Sequence, residues 1–213
     1  MPALPSEIRG IIFDLDGTLY VNEKFAALIQ DAARIYVAGL RGISVQQAET
    51  LMTDTRRRLF EDCGTLPTLS AVCSDAGGSI QELHRFFEET LAPEAFLARD
   101  ERVIHLLDRL SGRYALHIYT NNNRPLTERI IRQLGIGSYF RSIRTIDDTW
   151  IGKPDEDMLV RVLAEAGLEP AEALFVGDRY DIDLRIPEQR GCPVYLSQSI
   201  EQLLRLEELL TGS

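Results

Sequence analysis

Five short apolar runs, separated along most of the chain by helical patterns, constrain the fold more than any other feature of this sequence. The runs are rich in β-branched and aromatic residues, which favour strands. They cover Gly10 to Phe13, Leu116 to Tyr119, Ser142 to Ile146, Ala173 to Val176 and Pro193 to Leu196. Between the later runs, apolar residues recur at helical spacing and mark buried helix faces, as in Val103, Leu106, Leu107 and Leu110. This alternation predicts an α/β fold with a mostly parallel sheet covered by helices on both faces.

The segment from residue 21 to residue 96 breaks the alternation, because no convincing strand occurs in it. Its apolar pattern is helical instead. The signals are the stripe Phe25, Leu28, Ile29, Ala32 and Tyr36, the pattern over Val45 to Phe60, and the capping box of Ser79 and Glu82 that opens a helix through Glu89. We therefore expect an all-helical inserted domain over 21–96 and a core domain built from 1–20 and 97–213.

The composition excludes several classes of protein. A net charge of −10 disfavours binding to nucleic acid polymers or anionic membranes, although a small anionic substrate can still bind where a metal or local cations dominate a pocket. No run approaches the roughly 20 apolar residues of a membrane span, and the first residues lack a basic region followed by an apolar core. We expect a cytoplasmic protein. Three cysteines without CxxC spacing argue against a disulfide framework or a zinc site.

Two aspartates follow the first apolar run directly. Asp14 and Asp16 are two residues apart, and side chains at that spacing on an extended chain point the same way. Both carboxylates would then face one place, where their repulsion in a low dielectric is severe. A bound cation is the simplest relief. Gly17 and Thr18 predict a tight turn after the pair, because glycine adopts backbone angles that other residues avoid.

Polar residues also follow the later strands. Thr120 and Asn121 come after the second run, Asp178 comes after the fourth, and Lys153 lies in the connection between them. Ligands bind at the carboxyl ends of the strands in an open parallel sheet, so we expect these side chains to meet. Each one alone could be a turn residue, a helix cap or a surface charge. Their coincidence at successive strand ends favours a functional site.

This set of residues suits phosphoryl transfer. A phosphate ester needs a nucleophile, a cation that offsets the oxyanion charge, hydrogen-bond donors for the phosphate oxygens and an acid for the leaving oxygen. Carboxylate oxygens favour Mg²⁺ as the cofactor. Zinc is a poor alternative because neither sulfur nor histidine accompanies these residues.

The same residues resemble the motifs of a known enzyme family. DLDGT begins at Asp14, YTN ends at Asn121, GKP contains Lys153 and GDRYDID contains Asp178. In this order, and over nearly the whole chain, they resemble the haloacid dehalogenase superfamily, in the branch with a helical C1-type cap inserted after the first motif. The resemblance implies a Rossmann-like core for the parallel sheet and a cap for the helical insertion.

The resemblance also implies a role for each matching residue. Asp14 would be the nucleophile that forms an aspartyl-phosphate, and Asp16 would be the general acid and base. Thr120 and the backbone N–H of Asn121 would bind phosphate oxygens. Lys153 would neutralise the charge of the nucleophile and of the bound phosphate.

The implied metal ligands are four aspartates. Asp14, the backbone carbonyl of Asp16 and Asp178 would hold Mg²⁺. The fourth ligand has two candidates, because Asp181 and Asp183 both follow Asp178 at a spacing that the family allows. We favour Asp183, since GDRYDIDL resembles the GDRxxTD form of some family phosphatases, and keep Asp181 as the alternative.

Asp16 also distinguishes among the activities of the family. Dehalogenases have no acid two residues after the nucleophile, and P-type ATPases carry threonine there, whereas an alkoxide leaving group must be protonated. We therefore expect a Mg²⁺-dependent phosphatase that hydrolyses a small phosphate monoester through an aspartyl-phosphate. The alternatives are a phosphoglycolate or sugar-phosphate phosphatase, a phosphomutase and a 2-haloacid dehalogenase. A non-catalytic binding module is the remaining alternative and the least favoured, because every motif residue is present.

The substrate is predicted from the helical insertion. Its segment RRLFEDCGTLPTLSAV is loosely similar to a segment of the pyrimidine 5′-nucleotidase-like members of the family. A nucleoside 5′-monophosphate is therefore the first candidate. We expect a monomer or homodimer whose partner is a small phosphorylated metabolite, with neither a nucleic acid polymer nor a membrane as a partner.

Overall fold

The computed structural model describes residues 8–211, and within them five strands form one parallel sheet. The strands are β1 (Gly10–Phe13), β2 (Ala115–Tyr119), β3 (Ser142–Arg144), β4 (Ala173–Gly177) and β5 (Val194–Leu196). Their order across the sheet is β3-β2-β1-β4-β5, and every neighbouring pair is parallel. The predicted α/β fold and all five predicted strand positions are confirmed.

One strand is shorter than predicted. β3 ends at Arg144 rather than at Ile146, because Ile146 is the first residue of a 3₁₀ turn over Ile146–Asp148. The backbone N–H of Thr145 donates to the carboxylate of Asp148 at 2.9 Å, and the backbone N–H of Asp148 donates to the Thr145 carbonyl at 3.2 Å. These bonds satisfy backbone groups that a longer strand would have paired with its neighbour.

The central strand β1 marks the place where the chain changes direction across the sheet. Its four residues are all buried, and Phe13 is paired with Ile118 on one side and with Val176 on the other. A strand buried on both faces carries apolar residues at successive positions, as Ile11 and Ile12 do. The carboxyl end of β1 is therefore the topological switch point of the sheet, where open α/β folds bind their ligands.

Contacts along the chain divide it into two compact units, Asn22–Phe96 and the remainder. The structure describes every residue of Asn22–Phe96, and this unit contains no strand. Its helices are α1 (Glu23–Arg41), α2 (Val45–Cys63), α3 (Leu69–Asp75) and α4 (Ile80–Thr90). Ser79 caps α4 as predicted, by accepting a hydrogen bond from the backbone N–H of Glu82. Helix α3 was not predicted, since seven residues are too few for a clear helical period.

The sheet-containing unit has helices of its own, namely α5 (Glu101–Ser111), α6 (Arg124–Leu134), α7 (Glu156–Ala166), α8 (Arg185–Gln189), α9 (Ile200–Leu204) and α10 (Leu206–Thr211). The predicted stripe on α5 is buried. On α7, Leu159 and Leu163 belong to one hydrophobic cluster with Ile12 and Phe175 of the sheet. Among the described residues, none of the helices combines the length and apolarity that crossing a membrane requires.

Candidate active site

The predicted site residues lie at the carboxyl edge of the sheet. Asp14 directly follows β1, and its backbone N–H donates to the Val176 carbonyl of β4 at 2.8 Å. Thr120 directly follows β2, and Asp178 directly follows β4. Because β1 lies between β2 and β4, the parallel sheet brings these three positions to the same edge.

A buried lysine joins two of the aspartates. The Lys153 ammonium lies 2.5 Å from Asp14 Oδ1 and 2.6 Å from Asp183 Oδ1. Asp14 is 5% exposed, and Lys153 and Asp183 are each 4% exposed. The same ammonium lies 5.2 Å from the centre of the Tyr119 ring, within the range of a cation–π interaction. Charges buried to this extent require such partners.

The mutual effects of these charges appear in their pKa values. Burial alone would lower the pKa of Lys153, but the carboxylates of Asp14 and Asp183 outweigh it and raise the pKa above its usual value. Burial raises the pKa of Asp14 to about 7, although Lys153 opposes the increase. The lysine is therefore a permanent cation. The ionised form of Asp14 is favoured by any further positive charge placed beside it.

Asp16 has a different environment from Asp14. The Tyr20 hydroxyl donates a hydrogen bond to its Oδ1, and the Asn122 side-chain amide donates to its Oδ2 at 2.6 Å. Asp16 is half-buried, and burial raises its pKa, while the hydrogen bond from Tyr20 opposes that increase. The two aspartates of the first motif thus differ in their partners, one bound by an ammonium and the other by two neutral donors.

The predicted phosphate-binding residues, Thr120 and Asn121, directly follow β2. Thr120 is buried, and its Oγ1 accepts a hydrogen bond from the Asn122 backbone N–H at 3.2 Å. The Asn121 side chain accepts from the Lys153 backbone N–H at 2.7 Å and donates to the Lys153 carbonyl at 3.1 Å. Asn121 therefore fixes the loop that carries Lys153. The phosphate contact predicted for Asn121 concerns its backbone N–H rather than this side chain.

Three carboxylates form a group that could hold a metal ion. Asp14, Asp178 and Asp183 each place an oxygen within 4.8 Å of the others. Oδ1 of Asp178 is buried and has no hydrogen-bond partner, and burial raises the pKa of Asp178 to about 6. An all-oxygen set with a buried acceptor that lacks a hydrogen bond suits a hard divalent cation. A side chain at Gly17, whose φ is +83°, would meet the Asp178 carboxylate at 2.5 Å, so the turn after Asp16 requires glycine.

The structure separates the two candidates for the fourth motif. Asp183 lies in a π-helical turn over Tyr180–Leu184, and its buried carboxylate contacts Lys153 and accepts from the Arg179 backbone N–H at 3.1 Å. The Asp181 side chain is 43% exposed and pairs with Arg185 at 4.0 Å. The geometry thus brings Asp183 into the acidic group and leaves Asp181 outside it.

Three residues near the site were not assigned by the sequence. Tyr20 and Asn122 bind Asp16, and the Nε atom of Arg179 lies 3.7 Å from Asp178 and 4.0 Å from Asp183. The carboxylates, Asp183 foremost, outweigh the effect of burial and raise the pKa of Arg179. Asn122 could have been identified from the polar run 121–123, and Arg179 from its position inside the fourth motif, GDRYDID.

Comparisons with known proteins agree with this geometry. The sequence model of the haloacid dehalogenase-like hydrolases matches residues 8–189. Pyrophosphatase PpaX from Bacillus velezensis is 29% identical over 175 residues, which are 81% of this chain and 76% of that protein. Phosphoglycolate phosphatase from Salmonella typhimurium is 27% identical over 206 residues, which are 87% of this chain and 79% of that protein.

Solved structures show the same fold. A 2-haloacid dehalogenase from Pseudomonas syringae pv. Tomato has a TM-score of 0.60 at 23% identity and covers 96% of this chain and 99% of its own. A HAD phosphatase from Thermococcus onnurineus also has a TM-score of 0.60, at 21% identity, covering 97% of this chain and 99% of its own. Because the family model spans most of the chain and the motif residues meet at one sheet edge, this protein is a member of the haloacid dehalogenase-like hydrolase family.

Proposed function

We propose that this hydrolase is a Mg²⁺-dependent phosphatase that cleaves a small phosphate monoester through an aspartyl-phosphate on Asp14. The observation that carries the proposal is the buried contact of the Lys153 ammonium with Asp14 Oδ1 at 2.5 Å, with the acidic Asp16 two residues away. A carboxylate beside a fixed cation at the switch point of a parallel sheet suits attack on an anionic phosphate. The relatives quoted above are named as a pyrophosphatase and a phosphoglycolate phosphatase, which supports hydrolysis of a phosphorylated substrate.

In the first step, a carboxylate oxygen of Asp14 attacks phosphorus. The bond from that oxygen to phosphorus forms while the bond from phosphorus to the leaving oxygen breaks. Asp16 gives its proton to the leaving oxygen, so that an alcohol departs rather than an alkoxide. Asp16 is then ionised, and its two hydrogen-bond donors, Tyr20 and Asn122, face a full carboxylate.

In the second step, water attacks the phosphorus of the aspartyl-phosphate. Asp16 accepts a proton from this water, the new bond from oxygen to phosphorus forms, and the bond from phosphorus to Asp14 breaks. Inorganic phosphate leaves, Asp14 is a carboxylate again and Asp16 again holds a proton. The two roles of Asp16 require opposite protonation states: burial raises the pKa of this carboxyl group and favours the protonated form, whereas the hydrogen bond from Tyr20 favours the ionised form.

Lys153 and the end of β2 supply the electrostatic part of this scheme. The ammonium is permanently charged in its buried position and offsets the charge of the phosphate and of Asp14. Thr120 and the Asn121 backbone N–H donate to the phosphate oxygens. Since Asn121 also binds both backbone groups of Lys153, one loop fixes the cation and the phosphate donors together.

The acidic group provides the metal-binding part. Asp14, Asp178 and Asp183 fit a divalent cation, as supported by their mutual distances and by the Asp178 oxygen that lacks a hydrogen bond, and the Asp16 carbonyl would complete the set. A bound Mg²⁺ supplies positive charge that favours approach of a phosphate to a carboxylate. The Asp14 and Asp178 carboxyl groups must release their protons for this cation to bind.

The presence of Asp16 argues against a dehalogenase, and a phosphomutase is disfavoured on a separate ground. A halide leaves without a proton, so a dehalogenase has no use for an acid held by Tyr20 and Asn122. The likeness to a haloacid dehalogenase structure at 23% identity concerns the fold. A mutase would need a second base for a sugar hydroxyl, and the sequence offers no recognisable motif for one.

The position of Arg179 bears on the substrate. Its side chain is 48% exposed while its Nε lies within 4.0 Å of two site carboxylates, so its guanidinium can reach a second anionic group on a bound ligand. Phosphoglycolate has a carboxylate and pyrophosphate has a second phosphate, and relatives of this chain are named for both substrates. A nucleoside 5′-monophosphate, the first candidate from the sequence, has no second anion near the phosphate. We therefore place substrates with a second anionic group first.

Replacing the nucleophile tests the reaction. We expect Asp14→Asn to lower kcat for p-nitrophenyl phosphate by at least about 1,000-fold, because an amide oxygen cannot form the acyl phosphate. Steady-state hydrolysis with added Mg²⁺ measures the loss. Asp181→Asn is the matched control, since Asp181 is exposed and pairs with Arg185, and it should retain activity within about twofold. An active Asp14→Asn variant, or an inactive wild-type enzyme, would contradict the proposed function.

Metal binding should depend on pH. The raised pKa values of Asp14, about 7, and Asp178, about 6, mean that protons compete with Mg²⁺ for these carboxylates below those values. The affinity for Mg²⁺ should therefore rise about tenfold or more between about pH 5.5 and about pH 7.5, with release of protons. Isothermal titration calorimetry in buffers of different ionisation enthalpy measures both quantities. Asp178→Asn should abolish the binding and Asp181→Asn should not. An affinity that stays constant over this pH range would refute the assignment.

Substrate choice should depend on Arg179. In Arg179→Gln we expect KM to rise about tenfold for phosphoglycolate and pyrophosphate, because a hydrogen-bonded ion pair with the second anion is lost. KM for UMP and phenyl phosphate should change less than about twofold. Initial rates over this panel measure the difference. Equal changes for all four substrates would argue that Arg179 does not select the ligand.

A further inference from the structure

Both carboxylate oxygens of Asp16 accept hydrogen bonds from side chains, one in the turn after β1 and one in the loop after β2. Oδ1 accepts from the Tyr20 hydroxyl, and Oδ2 accepts from the Asn122 amide at 2.6 Å. A carboxylate held at both oxygens cannot rotate freely about its side-chain bonds, so its orientation is set by these two residues.

The turn after β1 places Tyr20. The backbone N–H of Gly17 donates to the Tyr20 carbonyl at 3.0 Å, and Asp16 and Tyr20 form an isolated parallel bridge. The chain thus folds back on itself within four residues, and this turn brings the Tyr20 hydroxyl to the Asp16 carboxylate. The Tyr20 side chain is buried, and a packed aromatic ring has few rotamers through which its hydroxyl could move away.

The end of β2 places Asn122. Its backbone N–H donates to Thr120 Oγ1 at 3.2 Å, and its carbonyl accepts from the Ile146 backbone N–H at 3.0 Å. These contacts connect Asn122 to Thr120 at the end of β2 and to Ile146 after β3. The two donors therefore belong to independently fixed elements of the sheet-containing unit.

We propose that Tyr20, together with Asn122, is a positioning residue that holds Asp16 in the orientation from which it protonates the leaving oxygen. The inference rests on the proposed function, because it assigns a partner to the general acid of that reaction. Tyr20 itself transfers no proton in this scheme. Its O–H donates to Asp16 throughout, and the proton that leaves with the alcohol comes from Asp16.

The more basic the leaving group, the more its departure depends on a correctly oriented Asp16 and therefore on the hydrogen bond from Tyr20. An alkyl phosphate releases an alkoxide unless a proton arrives, so its cleavage depends on a correctly oriented Asp16. p-Nitrophenyl phosphate releases a stable phenolate and needs little protonation. A loss of Asp16 orientation should therefore affect alkyl phosphates selectively, whereas a general disturbance of the fold or of the metal group would slow both kinds of substrate.

The test compares Tyr20→Phe with the wild-type enzyme on both kinds of substrate in Mg²⁺. The probes are p-nitrophenyl phosphate and whichever of phosphoglycolate, glycerol 3-phosphate and UMP the wild-type enzyme hydrolyses fastest. The quantity measured is kcat/KM, which reports the steps up to departure of the leaving group. We expect a fall of about 30-fold or more for the alkyl phosphate and of less than about threefold for the aryl phosphate.

Two further variants accompany this measurement. Tyr195→Phe is the matched control, because Tyr195 is also buried and its hydroxyl also donates one hydrogen bond, to the Gln202 carbonyl at 2.6 Å, yet it does not contact Asp16. Its kcat/KM should match that of the wild type for both substrates. Asn122→Ala should reproduce the selective loss, and it decides the question if circular dichroism shows that Tyr20→Phe does not fold.

The outcomes separate this inference from the proposed function. If the wild-type enzyme hydrolyses both substrates but the variants lose the same factor on each, or lose nothing, the positioning role is overturned while the phosphatase assignment stands. If the wild-type enzyme hydrolyses neither substrate, the proposed function is overturned and this inference with it. A loss confined to alkyl phosphates in both variants supports the role.

Discussion

The contact of the Lys153 ammonium with Asp14 and Asp183 is the interaction on which the rest of the site depends. It joins the end of β1, the loop before α7 and the turn after β4 in a region nearly closed to water. Removing one member would leave a buried charge without its partner, which costs several kcal/mol. The parallel sheet supplies the geometry, because it brings the carboxyl ends of β1 and β4 together.

The cluster nevertheless retains an excess of negative charge. Three carboxylates lie close together beside two cations, the Lys153 ammonium and the partly exposed Arg179 guanidinium, and Oδ1 of Asp178 has no hydrogen-bond partner. A protein selected for stability alone would have little reason to bury such a group. The excess is explained if a divalent cation and then a phosphate complete the charge balance. The raised pKa values of Asp14 and Asp178 also indicate that positive charge is lacking beside these carboxylates.

The strand positions and the common location of Asp14, Thr120 and Asp178 could be predicted because each of these residues follows an apolar run, and a parallel sheet aligns the ends of its strands. Lys153 lies in a connection between strands and was identified through its family motif. The hydrogen bond between Asp16 and Asn122 could not, since it joins residues 106 positions apart through side-chain orientation. Asp183 was favoured over Asp181 through the resemblance of GDRYDIDL to a family motif, whereas the π-helical turn that contains Asp183 has no local signal in the sequence. Helix α3 was not predicted because an apolar pattern of less than two helical turns is too short to indicate a helix.

The central claim is that Asp14 becomes phosphorylated, and chemical trapping tests it most directly. An acyl phosphate is reduced by borohydride to an alcohol, so quenching turnover with this reagent converts a phosphorylated aspartate into homoserine. Peptide mass spectrometry should then find homoserine at position 14, and only when substrate and Mg²⁺ are both present. An unaltered Asp14 during turnover, or the modification at another aspartate, would contradict the account.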